Sequence, residues 1–229
     1  MTVDETMLRV AWERSVGSSR PARRLFDAVV RRHREPHRRY HGLRHVTSVV
    51  RHVEALAEHE PVHDLGAVVV AACFHDAVYQ PTASDNEEAS ARLARRELTE
   101  LADPAWPPDR IERVAAMIVA TAHHVDPSVT GEDATGHGTT ADDATRHDTA
   151  VLLDADLAVL GGDPAAYQHY VNGVRAEYAH LDPAEWRTGR RAVLQGLLER
   201  QELYLTETAR NWWEARARAN LTAELASLA

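Results

Sequence analysis

Apolar residues recur three and four positions apart along most of the chain, which is the spacing of one face of an α-helix. The clearest stripes cover residues 46–56, 91–101 and 111–118. Residues 184–228 have the pattern of two or more long helices, and clear segments with the apolar–polar alternation of strands are absent. The sequence therefore predicts an all-α fold with roughly nine to ten helices.

Two local patterns predict where a helix begins and where the chain is irregular. Ser84 and Glu87 have the Ser-x-x-Glu spacing of a capping box, so a helix should begin near residue 85. Residues 125–148 are acidic, rich in Thr, Gly and Ala, and poor in large apolar side chains. We predict that they form a flexible surface insertion in a single domain that spans residues 1–229.

Composition narrows the class of protein. Of the 229 residues, 44% are hydrophobic and 27% are charged, as in globular proteins, and no apolar stretch has the length of a transmembrane helix. The formal net charge of -9 argues against nucleic-acid and membrane-surface partners. The N-terminus lacks the pattern of a signal peptide, and the single cysteine, Cys73, can form no internal disulfide. We expect a cytoplasmic protein.

Histidines and aspartates stand inside or at the ends of apolar helical segments. These pairs are His41 and His45, His75 and Asp76, His123 and His124, and Asp154 and Asp156. Each pair alone has a structural explanation, such as a hydrogen-bonded core histidine or, for Asp154, a helix cap. Together they would leave many buried polar groups without partners, which is costly. One divalent cation explains them better, since imidazole nitrogen and carboxylate oxygen suit Mn, Co, Mg, Zn or Fe.

Several motifs carry a resemblance to one protein family. They are RRYHGLRHV (38–46), FHDAVY (74–79), SDNEEASA (84–91), LLDADLAVLG (152–161), VRAEYAH (174–180) and ARANLTAEL (217–225). Over residues 8–226 the chain resembles the HD superfamily of metal-dependent phosphohydrolases, and within it a subgroup of small bacterial predicted HD phosphohydrolases. The resemblance implies an HD-type helical bundle with additional C-terminal helices. It also implies one divalent metal ion held by His45, His75, Asp76 and Asp156.

The resemblance suggests catalytic roles near this metal. His41 precedes His45 as the general acid does in related cyclic-nucleotide phosphodiesterases, although Gly42 replaces their asparagine. Many HD nucleotidases have a carboxylate where this chain has Tyr79, so another acid is required. Glu87 is our candidate for the base or water-positioning group, because it lines up with apolar residues of its helix. Closing the capping box is the alternative role for Glu87.

The remaining candidates are Arg39, Arg44, Arg175 and Tyr178 for substrate binding, His124 for catalysis, and Asp154 and His123 for orienting the metal ligands. A guanidinium group is a natural ligand for phosphate. An ion pair between Arg175 and Glu177 is equally compatible with the sequence. The tyrosine can stack on a base or simply pack.

These observations predict a metal-dependent phosphohydrolase that cleaves a small phosphate ester with metal-activated water. By family analogy the ester is a nucleotide, most simply a nucleoside 5′-monophosphate. A di-iron oxygenase is one alternative, but it needs further inward-facing histidines, such as His123, His124 or, from the predicted insertion, His147. A metal-binding regulatory module without turnover is the other alternative. The sequence indicates neither the metal's identity nor the oligomeric state.

Overall fold

The computed structural model describes residues 2–122 and 140–228, and all regular structure in these ranges is helical. The prediction of an all-α fold is confirmed. The helices are α1 (Val3–Val16), α2 (Arg20–Arg32), α3 (Leu43–Ala57), α4 (Leu65–Phe74), α5 (Asn86–Glu100), α6 (Pro108–Ala120), α7 (Thr140–Leu157), α8 (Pro164–Glu177), α9 (Pro183–Glu199), α10 (Glu207–Ala209) and α11 (Ala215–Ser227). A 3₁₀ turn (Ala158–Gly161) follows α7, and a π-helical turn (Arg210–Glu214) joins α10 to α11. None of these helices is long and apolar enough to cross a membrane.

Helix α4 is the centre of the fold. Its sequence is apolar on all faces, so the helix must be covered all round, and Ala67 to Phe74 are buried. Helices α1, α3, α6 and α7 surround it. The side chain of Asp64 caps its N-terminus by accepting a hydrogen bond from Ala67 N. Because α4 is enclosed, the residues at its C-terminal end also lie deep within the protein.

One contiguous cluster of buried apolar side chains connects α1 to α11. Near the N-terminus, the ring of Trp12 contacts those of Phe26 and Phe74, with centroid distances of 5.9 and 6.2 Å. Near the C-terminus, Gly161 allows the 3₁₀ turn to contact the π-helical turn, since a Cβ atom on Gly161 would lie 2.9 Å from the Trp213 carbonyl oxygen. The C-terminal helices are therefore joined to the same core as α4.

Helix α5 begins near the predicted position but without the predicted capping box. Its N-terminal cap is Asp85, and no side chain makes a capping hydrogen bond. Asn86 instead closes the preceding loop, because its side chain accepts a hydrogen bond from Gln80 N (2.9 Å) and donates one to Gln80 O (3.0 Å). Ser84 and Glu87 thus do not cap this helix.

The predicted flexible insertion is too long at its C-terminal end. Helix α7 includes residues 140–148, which the sequence assigns to an irregular segment. Asp148 is buried and accepts hydrogen bonds from His63 N (2.8 Å) and Asp64 N (3.0 Å), which tie α7 to the start of α4. Composition alone does not reveal these distant partners. Residues 125–139 of the predicted insertion lie outside the described residues.

Candidate metal centre

Three helices bring together the four residues for which the family resemblance implies metal binding. His45 lies in the first turn of α3, His75 directly follows the last residue of α4, Asp76 comes next, and Asp156 lies in the last turn of α7. Helix α3 packs against both α4 and α7. His45, His75 and Asp76 are buried, and 11% of the Asp156 side chain is exposed.

The polar atoms of these side chains point at one another. The Nε2 atoms of His45 and His75 are 3.2 Å apart. Asp76 Oδ2 lies 3.2 Å from Nε2 of His75 and 3.5 Å from Nε2 of His45. Asp156 Oδ1 lies 3.0 Å from Nε2 of His45 and 3.5 Å from Nε2 of His75. Atoms that share one first-row cation at about 2.0–2.2 Å are separated by about 2.8–3.6 Å, so these distances fit a chelating set.

The hydrogen bonds around this cluster leave it short of donors. His75 Nδ1 donates to Ala72 O (2.8 Å), so the Nε2 atom of a neutral His75 directs its lone pair at the cluster. Asp76 Oδ2 is buried and has no hydrogen-bond partner in the described residues. A buried carboxylate oxygen without a donor is costly. A divalent cation would satisfy this oxygen together with both imidazoles, so the donor set fits a metal site.

The charges of the cluster also favour a cation. Burial would lower the pKa of His75, but the carboxylates of Asp76 and Asp156 raise it well above its ordinary value. Burial would raise the pKa of Asp76, but His75 and His41 lower it. The carboxylates thus favour positive charge at the centre of the cluster, on an imidazole or on a metal ion. The mixed nitrogen and oxygen set admits Mn, Co, Mg, Zn or Fe.

The loop between α2 and α3 satisfies the carbonyl groups at the end of α4. Nε2 of His33 lies 2.9 Å from Cys73 O, and burial lowers the pKa of His33 to about 3, so the ring is neutral and donates this hydrogen bond. The buried guanidinium of Arg38 donates to Asp76 O (2.7 Å) and to His41 O (2.9 Å). Carbonyl groups at a helix end lack partners within the helix. Arg38 therefore fixes the position of the His-Asp pair relative to His41.

Glu177, the last residue of α8, holds the same loop from the other side. Its buried Oε1 accepts hydrogen bonds from the backbone N–H groups of Arg39, Tyr40 and His41, at 2.7, 2.8 and 3.0 Å. Its Oε2 accepts from His41 Nδ1 (2.6 Å) and from the Tyr79 hydroxyl (3.0 Å). Burial would raise the pKa of Glu177, but His41 and the backbone donors lower it to about 2. Glu177 is thus ionised and orients His41.

His41 and His45 are four positions apart in the sequence, but they do not lie on one face of a helix. Helix α3 begins at Leu43 with Gly42 as its cap, so His41 lies in the preceding loop. The two rings still approach each other, with centroids 5.6 Å apart. Because Glu177 accepts the Nδ1–H hydrogen bond, Nε2 of His41 is the nitrogen left to meet a substrate.

Two of the predicted substrate-binding residues line a cleft of about 410 Å³ beside His45. Arg39 and Arg44 are exposed, and neither guanidinium has a hydrogen bond or ion pair with any described residue. We call this cleft the arginine cleft, and its lining includes Arg39, Arg44, His45, Ser48, His169 and Tyr170. An anion bound there lies next to a candidate metal ligand.

Arg175 has a structural role instead of the predicted substrate contact. Its guanidinium donates to Tyr178 O (2.6 Å) and Leu181 O (3.3 Å), and it lies 5.3 Å from the centre of the Trp186 ring. It therefore holds the turn that follows α8. The alternative ion pair between Arg175 and Glu177 is also not formed, because Glu177 binds the loop before α3.

Tyr178 lines a second cavity, of about 490 Å³, together with His41. Burial and the charge of Glu177 raise the pKa of Tyr178. Glu87 lies half-buried in the first turn of α5, and its negative charge also contributes to raising the Tyr178 pKa.

Asp154, which we predicted to orient the metal ligands, is hydrogen-bonded to the C-terminal segment instead. It is 1% exposed, its Oδ1 accepts from Leu205 N (2.7 Å), and its Oδ2 accepts from the backbone N–H and the hydroxyl of Thr206 (both 2.7 Å). These bonds attach α7 to the segment that begins α10. Within the described ranges, no hydrogen bond connects Asp154 to a candidate metal ligand.

The other histidines assigned to the site give no further ligand. His123 and His124 lie outside the described residues. His147, which the di-iron alternative also requires, has its Nε2 atom 3.3 Å from Glu60 Oε2 and is not a member of the cluster of His45 and His75. Within the described residues, no third histidine joins the four candidate ligands.

Sequence reasoning missed two residues that shape the site. Arg38 stands beside Arg39 in the same motif, but only Arg39 was chosen, and Glu177 was considered only as a partner of Arg175. The available signal was weak, namely a second arginine and an acid inside motifs already recognised. Their roles depend on contacts with residues far along the chain.

No family model, curated protein or solved structure matches this chain. The resemblance to HD proteins therefore rests on the motifs alone, and the activity that it implies is a proposal.

Proposed function

We propose that this chain is an HD-type metal-dependent phosphohydrolase that cleaves a small phosphate ester, most simply a nucleoside 5′-monophosphate. The observation that carries the proposal is that the imidazoles of His45 and His75 and the carboxylates of Asp76 and Asp156 point at one another. Asp76 Oδ2 is buried among them and has no hydrogen-bond partner in the described residues. The order of the HD-like motifs along the chain adds support.

Each part of the hydrolysis has a group to perform it. His45, His75, Asp76 and Asp156 would hold a divalent cation, which would supply a water of lowered pKa and offset charge on the phosphoryl group. As the water oxygen bonds to phosphorus, the bond from phosphorus to the ester oxygen breaks. His41 Nε2 gives its proton to the departing ester oxygen, while Glu177 holds Nδ1. Glu87 takes the proton that the water loses, and exchange with solvent restores His41 and Glu87.

The arginine cleft supports the choice of a phosphate ester. The chain contains no lysine, so every fixed side-chain cation is a guanidinium, which binds phosphate oxygens in pairs. Arg39 and Arg44 are exposed beside His45 and have no partner among the described residues. A phosphate bound by them lies beside the candidate metal centre.

The test measures metal content and phosphate release on the same protein. The panel contains nucleoside mono-, di- and triphosphates and sugar phosphates, each with Mn, Co, Mg, Zn or Fe. We expect phosphate release by the wild type, and loss of both bound metal and release in His75→Ala/Asp76→Ala. His59→Ala removes an exposed histidine that contacts Trp212, and it should retain both properties.

Bound metal without phosphate release on the whole panel would overturn the proposal. Oxygen uptake with an iron content of about two ions per chain would then favour the di-iron oxygenase. A tightly held metal with no turnover would favour the regulatory module. Release that persists in the double variant would show that the cluster is not the active site.

A further inference from the structure

The cavity that contains Tyr178 adjoins the metal centre at His41. Its volume is about 490 Å³. We call it the aromatic cavity, and its lining includes His41, Tyr170, Tyr178, Trp186, Gly189 and Val193. His41 also contacts His45, so it stands between this cavity and the metal centre. A group seated in the cavity therefore lies within reach of His41.

The surface of the aromatic cavity suits a neutral ring. The rings of Tyr178 and Trp186 have centroids 6.0 Å apart and an interplanar angle of 41°. The guanidinium of Arg190 is neutralised by Glu224, at 2.7 Å, and also donates to the Tyr170 hydroxyl at 3.1 Å. Aromatic walls with matched charges favour a planar, uncharged ligand over a phosphate.

The arginine cleft, in contrast to the aromatic cavity, suits a charged ligand. The guanidinium groups of Arg39 and Arg44 have no partner among the described residues and favour an anion, and the cleft is lined by the candidate metal ligand His45. The aromatic cavity is lined by His41, which gives its proton to the departing oxygen in the proposed reaction. The two clefts therefore suit the two halves of one ester, the phosphoryl group beside His45 and the alcohol beside His41.

We propose that the aromatic cavity binds the leaving alcohol of the substrate, and that this alcohol carries an aromatic or heteroaromatic ring. The inference rests on the proposed phosphohydrolase function, because it assigns the two clefts to the two products of one hydrolysis. It predicts that an ester with a ring is cleaved better than the same ester without one.

Two substrates test this selectivity directly. Adenosine 5′-monophosphate and ribose 5-phosphate contain the same sugar phosphate ester, and only the first carries an aromatic base. We expect kcat/KM to be about 5- to 150-fold higher for the nucleotide, which is the range that stacking of one base on aromatic side chains provides. Equal values for the two esters would overturn the inference.

Helix α9 offers a blocking variant and a matched control. A Cβ atom on Gly189 would meet no atom within 4 Å, so Gly189→Leu adds a side chain at the lining of the aromatic cavity. Gly196 is equally open but lines a neighbouring cavity to which His41, Tyr178 and Trp186 do not contribute. In Gly189→Leu we expect kcat/KM for adenosine 5′-monophosphate to fall to the value for ribose 5-phosphate, which should itself stay as in the wild type. In Gly196→Leu we expect both values to stay as in the wild type. Leucine favours helix more than glycine does, and circular dichroism would verify that both variants fold.

Calorimetry with adenosine separates this inference from the proposed function. We expect adenosine to bind the wild type and His75→Ala/Asp76→Ala, and to bind Gly189→Leu at least 10-fold more weakly. That result would support ring binding in the aromatic cavity even if no ester were hydrolysed. A lack of hydrolysis would refute only the phosphohydrolase activity. The opposite result is hydrolysis of both esters with equal kcat/KM that does not change in Gly189→Leu. It would refute ring binding in the aromatic cavity and still support the phosphohydrolase activity. Absence of adenosine binding to the wild type would also refute ring binding in the aromatic cavity.

Discussion

Asp154 and Asp156 lie two positions apart on α7, and therefore on nearly opposite faces of the helix. Asp154 binds Leu205 and Thr206 of the C-terminal segment, whereas Asp156 points at the imidazoles of the candidate metal centre. The same residue type thus connects two parts of the fold at one position and offers a candidate ligand atom at the other.

Asparagine substitutions should separate these two roles. We expect Asp156→Asn to weaken metal binding by more than about 100-fold, since loss of a ligand exceeds the about 10- to 100-fold cost of losing an outer partner. We expect Asp154→Asn to lower the free energy of unfolding by about 1–3 kcal/mol, because one amide oxygen must serve three donors. Titration calorimetry with Mn²⁺ and urea unfolding measure the two effects. Weakened metal binding in Asp154→Asn would contradict the assignment.

The sequence was informative about which polar side chains need buried partners. That argument indicated four pairs of histidines and aspartates, and the family resemblance then selected the four side chains that the structure brings together: His45, His75, Asp76 and Asp156. The sequence did not reveal the partners of Arg175, because Tyr178 O and Leu181 O come close only after the chain turns beyond α8. The exposed Arg39 and the buried Arg38 are neighbours of one type, and local pattern could not distinguish them.

Among the elements, the contact between α8 and the loop before α3, which we call the joint, sets the position of His41. Glu177 accepts three consecutive backbone N–H groups of that loop. Gly173, one turn earlier in α8, allows the approach, since a Cβ atom there would lie 3.0 Å from Tyr40 Cβ. A buried carboxylate stabilises a fold only when its oxygens are satisfied, as they are here.

We expect Glu177→Gln to loosen this joint in a pH-dependent way. The pKa of Glu177 is lowered to about 2 in the folded state, against about 4.3 in an unfolded chain. Its contribution to stability is therefore complete above about pH 5 and is lost as the pH falls toward about 2. The free energy of unfolding of the variant should be lower by about 1–3 kcal/mol at pH 7, with a smaller difference at pH 3.

Urea unfolding at the two pH values measures this difference. Glu199→Gln, which changes an exposed glutamate of α9, is the matched control and should show no effect at either pH. A deficit of the same size at pH 7 and pH 3 would contradict the role of the ionised Glu177 carboxylate.

Helices were predictable from apolar spacing, because that spacing is a local property of the chain. The boundaries of the helices and the contacts between distant helices were less predictable. The start of α5 depends on Asn86 bonding back to Gln80 rather than on the expected capping box. The joint at Glu177 connects residues more than 130 positions apart, and no local pattern encodes such a contact.

For the whole molecule, the enclosed α4 gives a structural role to one arginine of an unevenly charged chain. Residues 1–52 contain twelve arginines and five acidic residues, although the net charge is -9. An enclosed helix leaves its terminal carbonyl groups without water. His33 and Arg38, from this arginine-rich part, donate to carbonyl groups at that end of α4. Part of the cationic excess therefore serves the fold, while the exposed Arg39 and Arg44 remain for an anion.

The candidate centre joins α3, α4 and α7, so a bound cation should stabilise the whole fold. Binding to the folded state alone adds about 2.7 kcal/mol at a free metal concentration of 100 times Kd. For a chain of 229 residues this corresponds to a rise in Tm of about 5–11 °C. We expect this rise when Mn²⁺ is added to chelator-treated wild-type protein.

Two variants locate the source of that rise in a thermal unfolding experiment. His75→Ala/Asp76→Ala should show no increase in Tm with Mn²⁺, because two of the four candidate ligands are missing. Asp154→Asn should unfold at a lower temperature without metal and yet retain the full increase, because its side chain holds the C-terminal segment and not the cation. An equal rise in the double variant would place the cation elsewhere in the chain, and the convergence of His45, His75, Asp76 and Asp156 would then no longer support a metal-dependent activity.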